Sequence, residues 1–429
     1  MTFVLRNAML VDIDPIRGEA GFLRLKNGVV AARGADASAS PGDTVIDCGG
    51  AVVIPGLVNG HTHLYSALAV GMPPPRDPPR NFMEILQRVW WRLDQALDAE
   101  SIETSALIGA MAAARCGTTT LIDHHASPRC IGGSLDRVER GINAIGLRGV
   151  LCYETTDRHG SDGARAGLAE NERYLVKTKS GNGGRFAGLV GAHASFTLND
   201  DSLLMSGELG RKYDAGVHIH VAEDPCDEAD CRQKHQCSLI ERLSRSNVLT
   251  PKSVFAHCTN LPPDDVLRVQ QAGATVAHNA RSNMNNGVGY APVGELNSFM
   301  MLGTDGIGGD MFAEARAAWL IARHQHADIN PGEIVKMLAR SARRASMSLG
   351  VTLGKLEPGA AADVVVTDYV PSTPLTSENA AGHLLFGLHA GHVKHVFVSG
   401  RPVVHLREAR RVLGNERWRK AYAQALAGA

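Results

Sequence analysis

Neither sign of charge is in excess in this chain: Lys+Arg 44 balances Asp+Glu 44, for a formal net charge of +0. There is no basic tail and no long run of like charge, so neither nucleic acid nor an anionic membrane surface is an expected partner. No apolar run is long enough to span a bilayer. The stretch Met1–Leu10 carries Arg6 and Asn7 and lacks the core of a signal peptide. The eight cysteines are scattered, and even Cys226, Cys231 and Cys237 lack C-x-x-C spacing, which argues against a structural zinc site. These absences predict a reduced, cytoplasmic protein. What is present fits a globular fold: 44% hydrophobic and 21% charged residues, with Gly 46 suiting many tight turns. A length of 429 residues predicts one large domain and a smaller one.

The two ends share a texture of short strands and turns. Phe3–Leu5, Met9–Val11, Phe22–Leu25 and Val29–Ala32 read as strands, with Lys26-Asn27-Gly28 as a turn. Ala362–Asp368 reads as another, and His395–Val404 as a hairpin turning at Ser399-Gly400. The middle alternates apolar strands with amphipathic helices. Strands end near His63, His125, Tyr153, His193, Val221, His257, His278 and Asp305. Eight such units predict an α/β fold, a (β/α)8 TIM-like barrel, whose function sits at the C-terminal ends of its strands. The expected division is 1–56 and 356–429 as two parts of one small composite β-sandwich domain, the second with a terminal helix, and 57–355 as the barrel.

His61-Thr62-His63 is the most informative feature. On an extended strand, i and i+2 face the same side, so both imidazoles can meet one metal ion. Alone, an H-x-H deserves little weight, because a strand histidine is more often a hydrogen-bonded core residue. Here His220, His257, His278 and Asp305 end the fifth to eighth strands, and their joint occurrence at one end of one barrel is hard to obtain by chance. One divalent ion, Zn²⁺ first and Fe²⁺ second, is expected on His61, His63, His220, His257 and Asp305, with one position open for water. His257 is the least settled of the five. His218, one layer deeper on its strand, is expected to support a ligand.

The chain resembles the amidohydrolase superfamily. It looks closest to the branch containing cytosine deaminase, S-adenosylhomocysteine deaminase and chlorohydrolases, and within that to the SsnA-type aminohydrolases. Pro55–His63, Gly117–Thr120, His220-Val221-Ala222-Glu223, Ala277–Asn283 and Gly303–Gly306 resemble the branch motifs. Ile85-Leu86, Trp90–Asp94, Asp123–Ser127, Cys152–Glu154, Thr156–Arg158 and His193–Leu198 resemble the finer group. The resemblance implies a hydrolase of carbon–nitrogen bonds in cyclic amidines, deaminating a purine-, pterin- or pyrimidine-type heterocycle with a metal-activated water. Hydrolytic dechlorination, dealkylamination, or amide or cyclic-amide hydrolysis is the alternative. A non-catalytic binder would predict a missing ligand or acid, and none is missing. A homo-oligomer, dimer or higher, is expected.

In that setting Asp305 accepts the proton of the water, His278 steadies the oxyanion, and Glu223 shuttles a proton to the ring nitrogen and the departing ammonia. The fourth strand ends in His193 with no lysine nearby, which argues against the two-metal branch built on a carboxylated lysine. His193, His125, Trp90, Glu154 and Arg281 are the expected substrate contacts. His193 can instead bond a backbone carbonyl, and Trp90 and Trp91 can instead pack a helix on the barrel. Two positions depart from the branch: Val70 stands where arginine is common, and Arg281 where a small residue or proline is common.

Overall fold

The structure is a computed structural model that describes residues 1–35, 39–179 and 183–403. The expected hairpin His395–Val404 is described only as far as residue 403, and the expected terminal helix lies outside the described residues.

Both chain ends build one sheet. Its strands are β1 (Thr2–Ile13), β2 (Ile16–Lys26), β3 (Val29–Gly34), β4 (Thr44–Asp47) and β5 (Val52–Pro55) from the N-terminal side. Against β5 lies β15 (Val364–Thr367), followed by β16 (Val393–Val398) and β17 (Arg401–Pro402). The two short strands expected within the first eleven residues are one strand, β1, broken only by a bulge between Leu5 and Ala8 where Asn7 turns left-handed. The β2–β3 turn has positive φ at both Asn27 and Gly28, as a right-twisted two-residue hairpin requires. The expected sandwich takes the form of one eight-stranded sheet. The sheet curls so that Val29 of β3 bridges Ala361, just ahead of β15. Its core draws Leu5, Leu10, Leu25 and Val53 from one end of the chain and Val364, Val366 and Phe397 from the other.

Gly56 alone separates β5 from the first barrel strand, β6 (Leu57–Thr62). Parallel to it follow β7 (Thr118–His125), β8 (Arg148–Tyr153), β9 (Phe186–Gly188), β10 (Val190–Ala194), β11 (Val217–Val221), β12 (Val254–His257), β13 (Thr275–His278) and β14 (Met300–Leu302). These strands are buried nearly throughout, as parallel strands covered on both faces must be. The expected fourth strand is interrupted at Leu189: β9 pairs with β8 and β10 with β11.

Two arcs result, β6–β9 and β10–β14. They meet at two seams, each passing close to a glycine. At one, Thr155 N donates to Gly191 O at 3.1 Å and His193 N to Thr155 O at 2.9 Å. At the other, Thr304 N donates to His61 O at 2.8 Å and His63 N to Asp305 O at 3.2 Å. A Cβ on Gly191 would lie 2.2 Å from Tyr153 O, and one on Gly303 would lie 2.5 Å from Asn279 Oδ1 and 2.7 Å from His61 Cβ. Inside the ring, Val58, Ile122, Val150, Leu189, Val254, Ala277 and Met301 form a packed floor, with Ala342, Ala345 and Leu349 of helix Pro331–Leu349 against it. Among the described residues, no helix is long and apolar enough to cross a membrane.

Candidate metal centre

Above that floor, His61, His63, His220 and Asp305 bring one ligand atom each to within 4.8 Å of one another, and all four are buried. His63 Nε2 lies 3.0 Å from His220 Nε2 and 3.0 Å from Asp305 Oδ1. His61 Nε2 lies 3.4 Å from the same carboxylate oxygen.

The far side of each ring fixes its tautomer. His63 Nδ1 faces His124 O at 2.6 Å, and His220 Nδ1 faces His193 O at 2.9 Å. A nitrogen facing a carbonyl must carry the proton, so when both rings are neutral the two Nε2 atoms are the lone-pair nitrogens, and they face each other. His61 Nδ1 meets His218 Nε2 at 2.8 Å. His218 Nδ1 in turn meets Cys152 Sγ at 3.7 Å, so His218 occupies the supporting place expected of it. Facing lone pairs beside a carboxylate demand a cation, and three imidazole nitrogens with one carboxylate suit a divalent transition metal with room for a further ligand.

Titration reflects the same demand. Burial pushes His61 down to about 3. For His63 burial pulls in that direction too, but the hydrogen bond and charge of Asp305 outweigh it and raise His63 to about 9, so without an ion a proton on His63 supplies the positive charge the cluster calls for. Backbone strain gathers around the site: Ala222, His257, Cys258 and Asp305 all have φ between 47° and 75° without being glycine.

Beside the four lies a second group, Glu223, His257 and Asp305. His257 Nε2 is 3.4 Å from Glu223 Oε2, so His257 stands between the four-residue cluster and the expected acid. Burial, with the charge of Asp305 behind it, pushes Glu223 up to about 7 against the pull of His257. His278 is buried, its ring edge-on to Tyr290 at 5.9 Å, and among the described residues neither ring nitrogen has a hydrogen-bond partner. Burial lowers it to about 4, leaving a neutral ring.

The cavity over the cluster has a volume of about 40 Å³. Carboxylates line one part of it (Asp94, Glu154, Glu223, Asp305) and apolar and aromatic groups another (Tyr65, Phe82, Leu86, Trp90, Trp91, Phe196). Three of the five expected substrate contacts, His193, Trp90 and Glu154, line this cavity. The other two do not. His125 is turned to Ser127 Oγ at 2.9 Å behind Tyr65. Arg281 is spent on Glu314, with Nε 2.5 Å from Oε2, and on Gly308 O at 2.7 Å. Val70 is exposed and also off the cavity.

Glu154 is held in a network. Arg158 Nη2 donates to its Oε1 at 3.2 Å and to Asp94 Oδ2 at 3.0 Å, while the guanidinium stacks 4.6 Å from the Trp91 ring. Asp157, the other acid after the third strand, instead accepts from Asn199 N at 2.8 Å and Ser202 Oγ at 3.0 Å at a helix start. Sequence reasoning gave no role to Asp94, Ser282, Asn283 or Asn286. Each stands inside or beside a quoted motif, but a polar residue in a loop carries no signal of where it points.

A model of the amidohydrolase family matches residues 52–403. A 5'-deoxyadenosine deaminase of Methanosarcina mazei is 27% identical over 409 residues, covering 93% of this chain and 91% of that protein. Among solved structures, a zinc-bound adenosine deaminase of Xanthomonas campestris superposes with a TM-score of 0.83 at 21% identity, covering 98% of each chain. Atrazine chlorohydrolase of Arthrobacter aurescens TC1, complexed with zinc, gives a TM-score of 0.80 at 20% identity, covering 99% of this chain and 100% of that one.

Proposed function

The chain belongs to the amidohydrolase family, and from that premise we propose that it is a metal-dependent aminohydrolase releasing ammonia from an amino-substituted heterocycle of purine, pterin or pyrimidine type. The observation that carries the reading is the convergence of His61, His63, His220 and Asp305, with the Nε2 atoms of His63 and His220 facing each other at 3.0 Å and both Nδ1 atoms committed to backbone carbonyls. Zn²⁺ is the proposed ion, in keeping with the two zinc-bound structural neighbours, and Fe²⁺ is the second choice.

His61, His63, His220 and Asp305 would hold the ion, and the chemistry it would supply when bound is a water acidified toward neutral pH. The remaining chemistry belongs to side chains. Asp305 accepts a proton from the water. Glu223, half protonated near pH 7, donates to the ring nitrogen beside the attacked carbon, then takes up the proton the added hydroxyl releases as the carbonyl forms and passes it to the amino group, which leaves as ammonia. His257, whose Nε2 lies 3.4 Å from Glu223 Oε2, would be a further ligand of the ion or, just outside it, a hydrogen-bond partner of its water. His278, neutral and buried, is the proposed support for the oxyanion. Trp90, His193 and Glu154 are the proposed walls for a flat ring with polar edges. The resident ion and the ring are small and local, so neither nucleic acid nor membrane is a proposed partner, while cytoplasmic location and a homo-oligomeric state belong to the same reading.

Metal analysis of protein purified without chelator should find one tightly held divalent ion per chain. A screen of amino-heterocycles with the Zn²⁺- and Fe²⁺-loaded protein should then release ammonia. Release of chloride or an alkylamine from a halogenated or alkylamino ring, with no ammonia from any amino-heterocycle, would replace this reading with the chlorohydrolase-type one. Absence of a bound metal would overturn both.

A further inference from the structure

One short helix touches every proton-handling group of the site. Helix Ala280–Asn286 follows β13 after a single residue. Ser282 Oγ donates to Asp305 Oδ2. Asn283 Oδ1 accepts from His257 Nδ1 at 2.7 Å. Asn286 Nδ2 donates to Glu223 Oε1 at 3.4 Å and stands 3.4 Å from Ser282 Oγ. The three partners come from the ends of three other strands, so nothing local to them sets their mutual orientation. Residues three and four apart are neighbours on a helix, which places 282, 283 and 286 over one patch.

We propose that Ser282, Asn283 and Asn286 are positioning residues, and that this helix is the platform that fixes the orientation and proton placement of Asp305, His257 and Glu223. The proposal rests on the aminohydrolase reading above. Each bond has a chemical consequence. Ser282 occupies Asp305 Oδ2 and so leaves Oδ1 as the oxygen facing His61 and His63. Asn283 Oδ1 holds the proton of His257 on Nδ1, which leaves Nε2, the nitrogen facing Glu223, as an acceptor. The Asn279 amide stands farther from His257 Nδ1, at 3.5 Å, and does not compete. Asn286 donates to Glu223 Oε1, which turns Oε2 toward His257.

The platform is itself pinned. Glu314, buried on the helix Met311–His324, accepts from Arg281 N at 3.1 Å and from Arg281 Nε at 2.5 Å. This gives Arg281 a place in the site without substrate contact: it anchors the first turn of the helix that orients the acids and the base.

The test compares Asn283→Leu, which keeps the shape and removes the acceptor, with Asn283→Asp, which restores an acceptor, and adds Ser282→Ala as a smaller change. Asn283→Leu should lower kcat by about 10–100-fold with KM and metal content unchanged, and Asn283→Asp should recover most of the loss. Ser282→Ala should lower kcat in the same way. A second readout needs neither metal nor substrate: ring ¹⁵N shifts of His257 in metal-free protein should report the Nδ1–H tautomer in the parent and in Asn283→Asp, and a mixture in Asn283→Leu. Unchanged kcat and unchanged tautomer in Asn283→Leu would overturn the proposal, as would joint loss of metal and thermal stability in all three variants. If the parent released no ammonia from any heterocycle, the aminohydrolase reading would fail while the nitrogen shifts still decided the platform.

Discussion

Asp227 carries a carboxyl into the wall of the cavity at almost complete burial, accepting from Ala222 N at 2.9 Å through Oδ2 and also from the backbone of Phe196. Burial raises it to about 7 despite its backbone hydrogen bonds. A carboxyl whose folded value lies above its unfolded one takes up a proton on folding, so its contribution is full at low pH and is lost as pH rises toward about 7. Asp227→Asn keeps an acceptor for Ala222 N and removes that titration. The variant should gain on the parent between about pH 4 and pH 7, by roughly 1–3 kcal/mol; chemical denaturation across that range measures it, and a constant difference would contradict the assignment. Glu223 is raised to about 7 as well, but there the proton is proposed to serve turnover. Glu223→Gln should keep the bound metal and lose about 10²–10⁴-fold in kcat. Loss of metal in that variant would make Glu223 a ligand instead.

Strand ends and seams set what these residues can reach. The barrel strands were legible because a parallel strand buried on both faces is an apolar run, and most of these runs stop at a histidine or an aspartate. Their interruptions were not legible: the break at Leu189 reflects a change of pairing partner, which leaves no mark on composition. Helix Ala280–Asn286 also went unread as an element, because its seven residues are polar on the side that matters and show no apolar stripe. For the same reason Arg281 looked like a substrate contact, when its partner Glu314 lies thirty-three residues away in sequence. The seam at Gly303 offers a prediction of its own. A methyl group there would press on His61 Cβ and Asn279 Oδ1. Gly303→Ala should therefore cost about 1–3 kcal/mol and weaken metal binding together, whereas Gly308→Ala, whose added Cβ meets nothing within 4 Å, should do neither. Differential scanning calorimetry with metal titration separates the two.

On the scale of the whole molecule, β1 to β5 and β15 to β17 share one sheet although more than three hundred residues separate them. Turn chemistry and short strands at both ends made this legible in outline. The curl of the sheet and the buried pair of Arg148 on β8 with Asp363 ahead of β15, at 2.8 Å, were not, since each depends on a partner distant in sequence. We propose the division into 1–56 and 356–429 around a barrel of 57–355. Removal of residues after Gly359 should then leave β5 without its antiparallel neighbour and speed amide exchange in β1 and β5; unchanged protection there would refute the shared domain.

The placement of His63 and His220 has a consequence for the protein's life outside catalysis. Each ring is already tied through Nδ1 to the backbone of a neighbouring strand, so a metal joining their Nε2 atoms would rivet opposite arcs of the ring together. Binding to the native state alone adds to stability by mass action, about 2.7 kcal/mol when free ion stands at a hundred times its dissociation constant. Scarcity of the ion would then lower the folded population as well as the rate of turnover, making the amount of this protein in a cell a gauge of the metal around it.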